Sequence, residues 1–323
     1  MNDRKAQLTR RILYVVFFVS GLVFGLIVGL IIGQMNSKTK SKPLPVTEYI
    51  SGYELQDGEL TNLAYENYWN FIHMSYILVG GDREDATLYK ISDKVERHNY
   101  DLERFFISED DSYMHYSDDN IKDTLVGIDI SAFQGYIDWE TLDKSGDIDF
   151  VIMRVGYRGY GSGALVEDSQ FADYKSAVSE LGIDAGVYFF SQAISYEEGV
   201  EEANFVLDRI KDMDVKYPVI IDTEQVEAED ARGNKSSNEE RTDGIVGFCE
   251  TIKNAGYTPM IYASRNWYAQ NLDMDRLGDY KLWLAQYANV PDFPYKFTGW
   301  QYTCEGKVPG IEGYVDINVW FKE

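Results

Sequence analysis

From residue 124 onward the apolar positions follow two rhythms. Eight short stretches, 124–130, 150–155, 184–190, 217–222, 258–263, 281–285, 298–302 and 315–319, are rich in branched and aromatic residues. Apolar runs this short predict strands covered on both faces, as in a parallel sheet. Between them, 170–181, 196–211 and 238–255 have helical spacing, and in the last Ile245, Phe248, Cys249 and Ile252 share one face. Ser195 before Tyr-Glu-Glu predicts a helix N-cap. The later strands leave too little chain between them for full helices. The alternation predicts an α/β domain over 124–323, an irregular TIM-like β/α barrel slightly short of a complete one.

Upstream the pattern changes. Residues 12–33 carry no charge over 22 positions. At about 1.5 Å per residue, a helix of that length crosses a bilayer core. A cleaved signal peptide would have a shorter apolar core, about 7–15 residues, ending in small residues. Here Gln34-Met-Asn-Ser-Lys follows, which favours an uncleaved transmembrane helix. Arg4, Lys5, Arg10 and Arg11 precede the span, and Lys38, Lys40 and Lys42 follow it. The short basic end places 1–11 in the cytoplasm and the remainder outside the cell membrane. Residues 34–47, polar with Pro43 and Pro45, are expected to be a linker, and 48–123 a small mixed juxtamembrane region. In that region Tyr65, Trp69, Ile72, Tyr76 and Val79 are spaced as one helical stripe. The segments around Phe105-Phe-Ile and Tyr113-Met-His-Tyr suggest a hairpin.

Charge narrows the function. Residues 1–42 hold seven of the 30 Lys/Arg and one of the 54 Asp/Glu, so 43–323 carries 23 basic and 53 acidic residues. Such a surface repels nucleic acid. The three histidines, His73, His98 and His115, all precede residue 124. A Ser-His-Asp or Cys-His mechanism in the barrel is therefore disfavoured, as is a His-ligated zinc. Cys249 and Cys304 make no metal-ligand spacing and are expected to be unpaired. Gly156, Gly159, Gly161 and Gly163 lack a following Gly-Lys-Ser/Thr, so they predict a mobile rim loop rather than a phosphate loop. No cofactor or metal is implied.

What remains is carboxylate chemistry. Asp129, Asp222 with Glu224, and Asp316 each sit at the end of a short strand-like run. Asp222 and Glu224, two apart, would point to one face of an extended strand. In a β/α barrel, strand C-terminal ends form the site, and all four are expected there. Paired carboxylates are what glycosidic cleavage needs, one protonated and one ionised. The plain alternative is a set of solvated strand ends in a very acidic protein.

Several blocks resemble one family. Gly127-Ile-Asp-Ile-Ser with Gln134-Gly-Tyr-Ile-Asp-Trp looks like the opening of the glycoside hydrolase family 25 lysozymes, the Chalaropsis-type muramidases. Gly186-Val-Tyr-Phe-Phe, Asp222-Thr-Glu, Pro259-Met-Ile-Tyr, Trp283-Leu-Ala-Gln-Tyr and Trp300-Gln-Tyr-Thr are similar to later blocks. Lys307-Val-Pro-Gly-Ile-Glu-Gly-Tyr-Val-Asp-Ile-Asn resembles the closing one. The resemblance implies hydrolysis of the β-1,4 bond between N-acetylmuramic acid and N-acetylglucosamine in peptidoglycan. It implies Glu224 as general acid and Asp222 as the partner that orients an N-acetyl group or stabilises charge. Asp129 and Asp316 would complete the acidic floor, and Tyr188, Tyr262, Trp283, Tyr287 and Gln301 would line the groove. The acidic stretch 226–242 is expected to reshape that groove, and Cys304 to stay away from the chemistry. Peptidoglycan strands and the lipid bilayer are the expected partners. Two other readings stay open: a non-catalytic module that holds wall glycan, and a glycosidase of another N-acetylated glycan such as chitin. Retention of both Asp222 and Glu224 argues against the first, and the blocks around Gly127 and Asp316 against the second.

Overall fold

The structure, a computed structural model, describes residues 44–45, 73–80, 86–109, 112–121, 124–228 and 231–322. The expected span 12–33 lies outside the described residues, as do Tyr65, Trp69 and Ile72 of the predicted stripe. Among the described residues no helix is long and apolar enough to cross a membrane.

The first strands are β1 (Leu44–Pro45), β2 (Tyr76–Val79), β3 (Thr87–Lys90), β4 (Phe105–Ile107) and β5 (Met114–Tyr116). Then follow β6 (Thr124–Ile130), α1 (Trp139–Ser145), β7 (Phe150–Arg158), β8 (Leu165–Glu167), α2 (Phe171–Leu181), β9 (Ala185–Phe190) and α3 (Tyr196–Ile210). The chain continues through β10 (Val219–Asp222), α4 (Arg232–Lys235), α5 (Asn238–Asn254), β11 (Pro259–Ser264) and α6 (Arg265–Asn271). It ends in β12 (Lys281–Ala285), β13 (Gly299–Gly306) and β14 (Val315–Phe321).

All eight expected strands are present, and they close a ring. The order is β6-β14-β13-β12-β11-β10-β9-β7, and β7 pairs back onto β6. Neighbours are parallel except β14, which runs antiparallel to both β13 and β6. The three expected helices are α2, α3 and α5. Ser195 and Ser237 cap α3 and α5, the latter through a capping box with Glu240.

Strand periodicity sorts the apolar residues into two sets. Phe150, Ile152, Ile220, Met260, Trp283 and Trp320 form one buried cluster inside the ring. Alternate positions such as Val151, Met153, Val219, Ile221 and Ile261 join the cluster between ring and helices. Glycines on the inner face make room for rings. A Cβ on Gly127 would lie 2.1 Å from the Phe150 ring, and one on Gly299 2.4 Å from Trp320.

Residues 92–109 and 112–121 form no separate module. They strap the outer faces of β13 and β14, the sector where the connections 286–298 and 307–314 carry no helix. Tyr100 stacks on Phe321 at 4.2 Å and donates to the Phe297 carbonyl at 2.7 Å. Phe105 meets Trp300 edge-on at 5.0 Å, and Tyr116 is fully buried. The Met114 N–H donates to the Tyr302 hydroxyl at 3.2 Å, and the Ser92 N–H to Tyr295 at 2.7 Å. The expected hairpin is β4–β5.

Three expectations need correction. Tyr76 and Val79 belong to β2, not to a helix, because this segment pairs with β3 and packs near α6. There Arg265 Nη1 donates to the Leu78 carbonyl at 2.9 Å. The glycine-rich segment is more ordered in its pairing than a plain loop: Gly156 lies in β7 and the other three glycines in the turn of the β7–β8 hairpin, where Gly159 N–H donates to Ala164 O at 2.8 Å. Asp316 opens its strand instead of ending it. The reversal of β14 brings that opening to the rim where the parallel strands finish.

The strap predicts a measurable dependence. Removing residues 1–123 uncovers Phe297, Trp300 and Phe321. With about 1.5–3 kcal/mol for each large apolar side chain re-exposed, the urea midpoint of the truncated chain should fall well below that of the full chain. Tyr116→Ala alone should cost about 3 kcal/mol or more. Unchanged midpoints for both would show the strap to be a spacer.

Candidate active site

The inner face of the barrel changes character along its axis. In β6 it passes from Leu125 through Gly127 to Asp129, and in β14 from Trp320 through Asn318 to Asp316. In β10 it passes from Ile220 to Asp222, and in β7 from Ile152 to Arg154. The apolar layer is filled by rings, and the polar layer is the floor of a cleft of about 470 Å³. All nine expected site residues line this cleft: Asp129, Asp222, Glu224, Asp316, Tyr188, Tyr262, Trp283, Tyr287 and Gln301. The regular strand ends at Asp222, so Glu224 lies two residues beyond it rather than on it. The Thr223 N–H still donates to the Tyr262 carbonyl at 3.1 Å, which keeps this part of the chain extended along β11.

A hydrogen-bonded chain fixes the floor. Trp283 Nε1–H, which can only donate, bonds Asn318 Oδ1 at 2.7 Å. That turns the Asn318 amide nitrogen onto Asp129 Oδ2 at 2.9 Å. Gln301 Nε2 reaches the same oxygen at 2.9 Å, while the hydroxyls of Tyr262 and Tyr287 donate to Gln301 Oε1 at 2.8 and 2.9 Å. Burial pushes Asp129 up to about 6 despite these two donors, which favour its charged form.

The other carboxyls are pushed the same way. Asp316 rises to about 8 through burial and the charges of Asp129 and Glu224. Asp222 and Glu224 lie close enough to perturb each other, and both are raised, burial being the main cause. Asp222 goes well above the carboxylate range because Glu224 and Asp129 add repulsion that Arg154 only partly offsets. Two neighbouring acids that are both raised favour holding one proton between them. Asp222 Oδ1 is buried and has no protein partner.

Several residues at the site went unnoticed in the sequence. Asn318 and Arg154 each lie two positions along a strand from an inward residue, so parity alone could have found them. Arg154 is held by Asp168 at 2.7 Å and lies over the Phe133 ring at 5.1 Å. Phe133, Tyr160 and Tyr314 form exposed aromatic edges of the cleft, and nothing in their spacing marks them. Val226 and Glu227, from the stretch expected to reshape the groove, also line it. Cys304 lines the outer part of the cleft, because β13 is longer than expected and its irregular pairing with β14 extends to Gly306. Cys304 and Cys249 are both free thiols.

Comparison with known proteins now decides the family. The profile of the glycosyl hydrolases family 25 matches residues 128–311. The chain belongs to this family. The autolytic lysozyme of Clostridium acetobutylicum is 25% identical over 195 residues, covering 60% of this chain and 55% of that protein. The modular autolysin LytC of Streptococcus pneumoniae superposes with a TM-score of 0.55 at 25% identity, covering 77% of this chain and 61% of that one. A family 25 glycosyl hydrolase from Bacillus anthracis shares the fold, with a TM-score of 0.51 at 23% identity over 65% of this chain and 93% of that one. The chain thus spans little more than half of the curated lysozyme it matches, and its barrel corresponds to the family's catalytic fold.

The raised carboxyls set a pH dependence of stability for this family 25 barrel. A carboxyl whose folded pKa exceeds its unfolded value of about 3.9 binds more protons when folded. Its contribution is complete below about pH 4 and is lost as pH rises through the folded value. For Asp129 and Asp316 that window runs from about 4 to about 8. Asp316→Asn should therefore raise the unfolding free energy at pH 8 by on the order of 1–3 kcal/mol, seen as a higher melting midpoint. The gain should vanish at pH 4. A gain of equal size at both pH values would mean that Asp316 is not held in this cluster.

Proposed function

We propose that the protein is an N-acetylmuramidase that cuts the β-1,4 bond between N-acetylmuramic acid and N-acetylglucosamine in peptidoglycan. The observation that carries this reading is the close pair of raised carboxyls, Asp222 and Glu224, at the floor of a cleft rimmed by aromatic side chains. The lysozyme and autolysin relatives support it, and the LytC autolysin has been crystallised with a synthetic peptidoglycan ligand.

In this mechanism Glu224 donates its proton to the leaving glycosidic oxygen. As that bond breaks, the carbonyl oxygen of the neighbouring N-acetyl group bonds to the anomeric carbon from the opposite face. Asp222 Oδ1, without a protein partner, accepts the amide N–H and offsets the charge on the resulting ring. The Glu224 carboxylate then takes a proton from water, whose oxygen attacks the anomeric carbon and restores the N-acetyl group. Glu224 ends protonated, and the anomeric configuration is retained. Asp129, whose two amide donors favour its charged form, keeps the floor negative toward the cation-like transition state. Arg154 limits the repulsion at Asp222.

Residues 12–33 are proposed to anchor the enzyme, with the barrel outside the membrane. The uncharged length of that segment and its basic flanks support this.

Three measurements test these statements. Glu224→Gln should keep the melting midpoint near that of the parent and lower wall-clearing turnover by about 10²–10⁴-fold. Asp222→Asn should fall comparably, and NMR of the new muramic acid ends should show the retained anomer first. Full activity in Glu224→Gln removes the assignment of the acid. For the anchor, external protease on intact cells should degrade the 43–323 portion. Its protection, or a mature chain beginning after residue 33, contradicts the proposed topology.

A further inference from the structure

Glu224 lies beyond the regular strand, which ends at Asp222. On its upstream side the chain is fixed at Thr223. The Thr223 N–H donates to the Tyr262 carbonyl at 3.1 Å, and its hydroxyl accepts from Trp267 Nε1 at 3.1 Å. Among the described residues the next main-chain bonds come at Val226, and one side chain makes both of them. The Val226 N–H donates to Asn234 Oδ1 at 3.1 Å, and Asn234 Nδ2 donates to the Val226 carbonyl at 2.6 Å. The amide of Asn234, from α4, thus takes the place that a neighbouring strand would have filled. Val226 is buried, so its main-chain groups have little water to turn to instead.

This clamp is only as firm as α4, a helix of four residues. The helix is held far more tightly than its length demands. The Arg232 N–H donates to the Tyr160 carbonyl at 3.0 Å, and the Arg232 guanidinium pairs with Glu198 at 2.6 Å. The Gly233 N–H donates to Gln192 Oε1 at 3.1 Å. A Cβ on Gly233 would lie 2.5 Å from that same oxygen, so the close approach requires glycine. Arg241, on α5 and 5% exposed, aims Nη2 at the Gly233 and Ser236 carbonyls, at 2.8 and 2.9 Å. Burying a guanidinium to hold main-chain carbonyls carries a desolvation cost. It yields a fixed base from which Asn234 reaches the segment that carries the acid.

We propose that Asn234 is a positioning residue for Glu224: by bracketing Val226 it fixes the downstream end of the span 224–226 and sets where the acid stands against the glycosidic oxygen. The idea rests on the muramidase reading and deepens it. A carboxyl on a span anchored at one end only is free to rotate with its backbone, and a displacement of about 1 Å costs as much as 10²-fold in rate. Tyr188, Tyr262, Trp283 and Tyr287 line the cleft from other segments, so glycan binding depends much less on this span than proton transfer does. Loss of the clamp should therefore appear in kcat and not in KM. The polar stretch after the acid then does more than shape the groove. It folds back to hold the residue that does the chemistry.

Asn234→Ala removes both bonds to Val226. On soluble peptidoglycan glycan strands, with new reducing ends as the signal, its kcat should fall about 10-fold or more, with KM within about twofold of the parent. Asn234→Asp keeps the acceptor for the Val226 N–H and loses the donor to the carbonyl. This nearly isosteric variant should fall in the same direction, which keeps the test valid should the alanine variant fold poorly. Both are then measured in the Glu224→Gln background over long incubations. With the acid already gone, removing the clamp should cost little more, because residues that act as a unit are not additive. An equal loss in both backgrounds, a loss carried by KM, or parent-like kcat in both variants overturns the proposal. A parent protein that releases no reducing ends rejects the muramidase reading and this role with it. A parent that cuts, beside variants that cut equally well, rejects the role alone.

Discussion

A carboxyl group sealed into the mouth of a closed barrel must be hydrogen-bonded, protonated or both, and Asp129 is where this barrel meets that condition. Its Oδ2 takes amide donors from Gln301 on β13 and Asn318 on β14. Those amides are in turn oriented by Trp283, Tyr262 and Tyr287. Four strands beyond β6 thus supply the side chains that hold or orient its partners, or begin the loop that does. The same burial that requires these donors keeps protons on Asp222, Glu224 and Asp316 at pH values where free carboxyls have lost theirs. Catalytic capacity and electrostatic strain have one origin here, the crowding of four acids into a space with little water.

Much of this was legible in the chain. The eight strands announced themselves as apolar runs because a barrel covered by helices buries both faces of most strands. The acids stood out because such runs rarely end in charge without cause. Asn318 and Arg154 were missed because an isolated asparagine or arginine in a strand carries no spacing signal until it is known which parity faces inward. The direction of β14 was missed for a related reason: strand patterns are the same read either way. Tyr76 and Val79 show the converse error. Their spacing fits a helix, but pairing with β3 outweighs a five-residue stripe.

The strap formed by residues 92–109 and 112–121 follows from the same shortage of sequence between the last strands. Without helices over β13 and β14, the outward rings of Trp300 and Phe321 would face water. The segment preceding the barrel supplies Tyr100, Phe105 and Tyr116 to cover them. A region that looks accessory by family resemblance is thereby part of the barrel's outer wall.

The position of β14 has a further consequence. This strand enters the ring between β13 and β6 and pairs with both, placing Phe321 opposite Thr124. Until it arrives, the edges of β6 and β13 have no partners, and neither Asn318 nor Asp316 can reach the floor. The first and last strands of the barrel, nearly two hundred positions apart, must meet before either is complete. Loop closure over such a separation is slow, and open edges invite pairing with other chains. Biosynthesis therefore leaves a vulnerable interval, in which an almost complete barrel exposes two unpaired strand edges and depends on the last strand to protect it from aggregation.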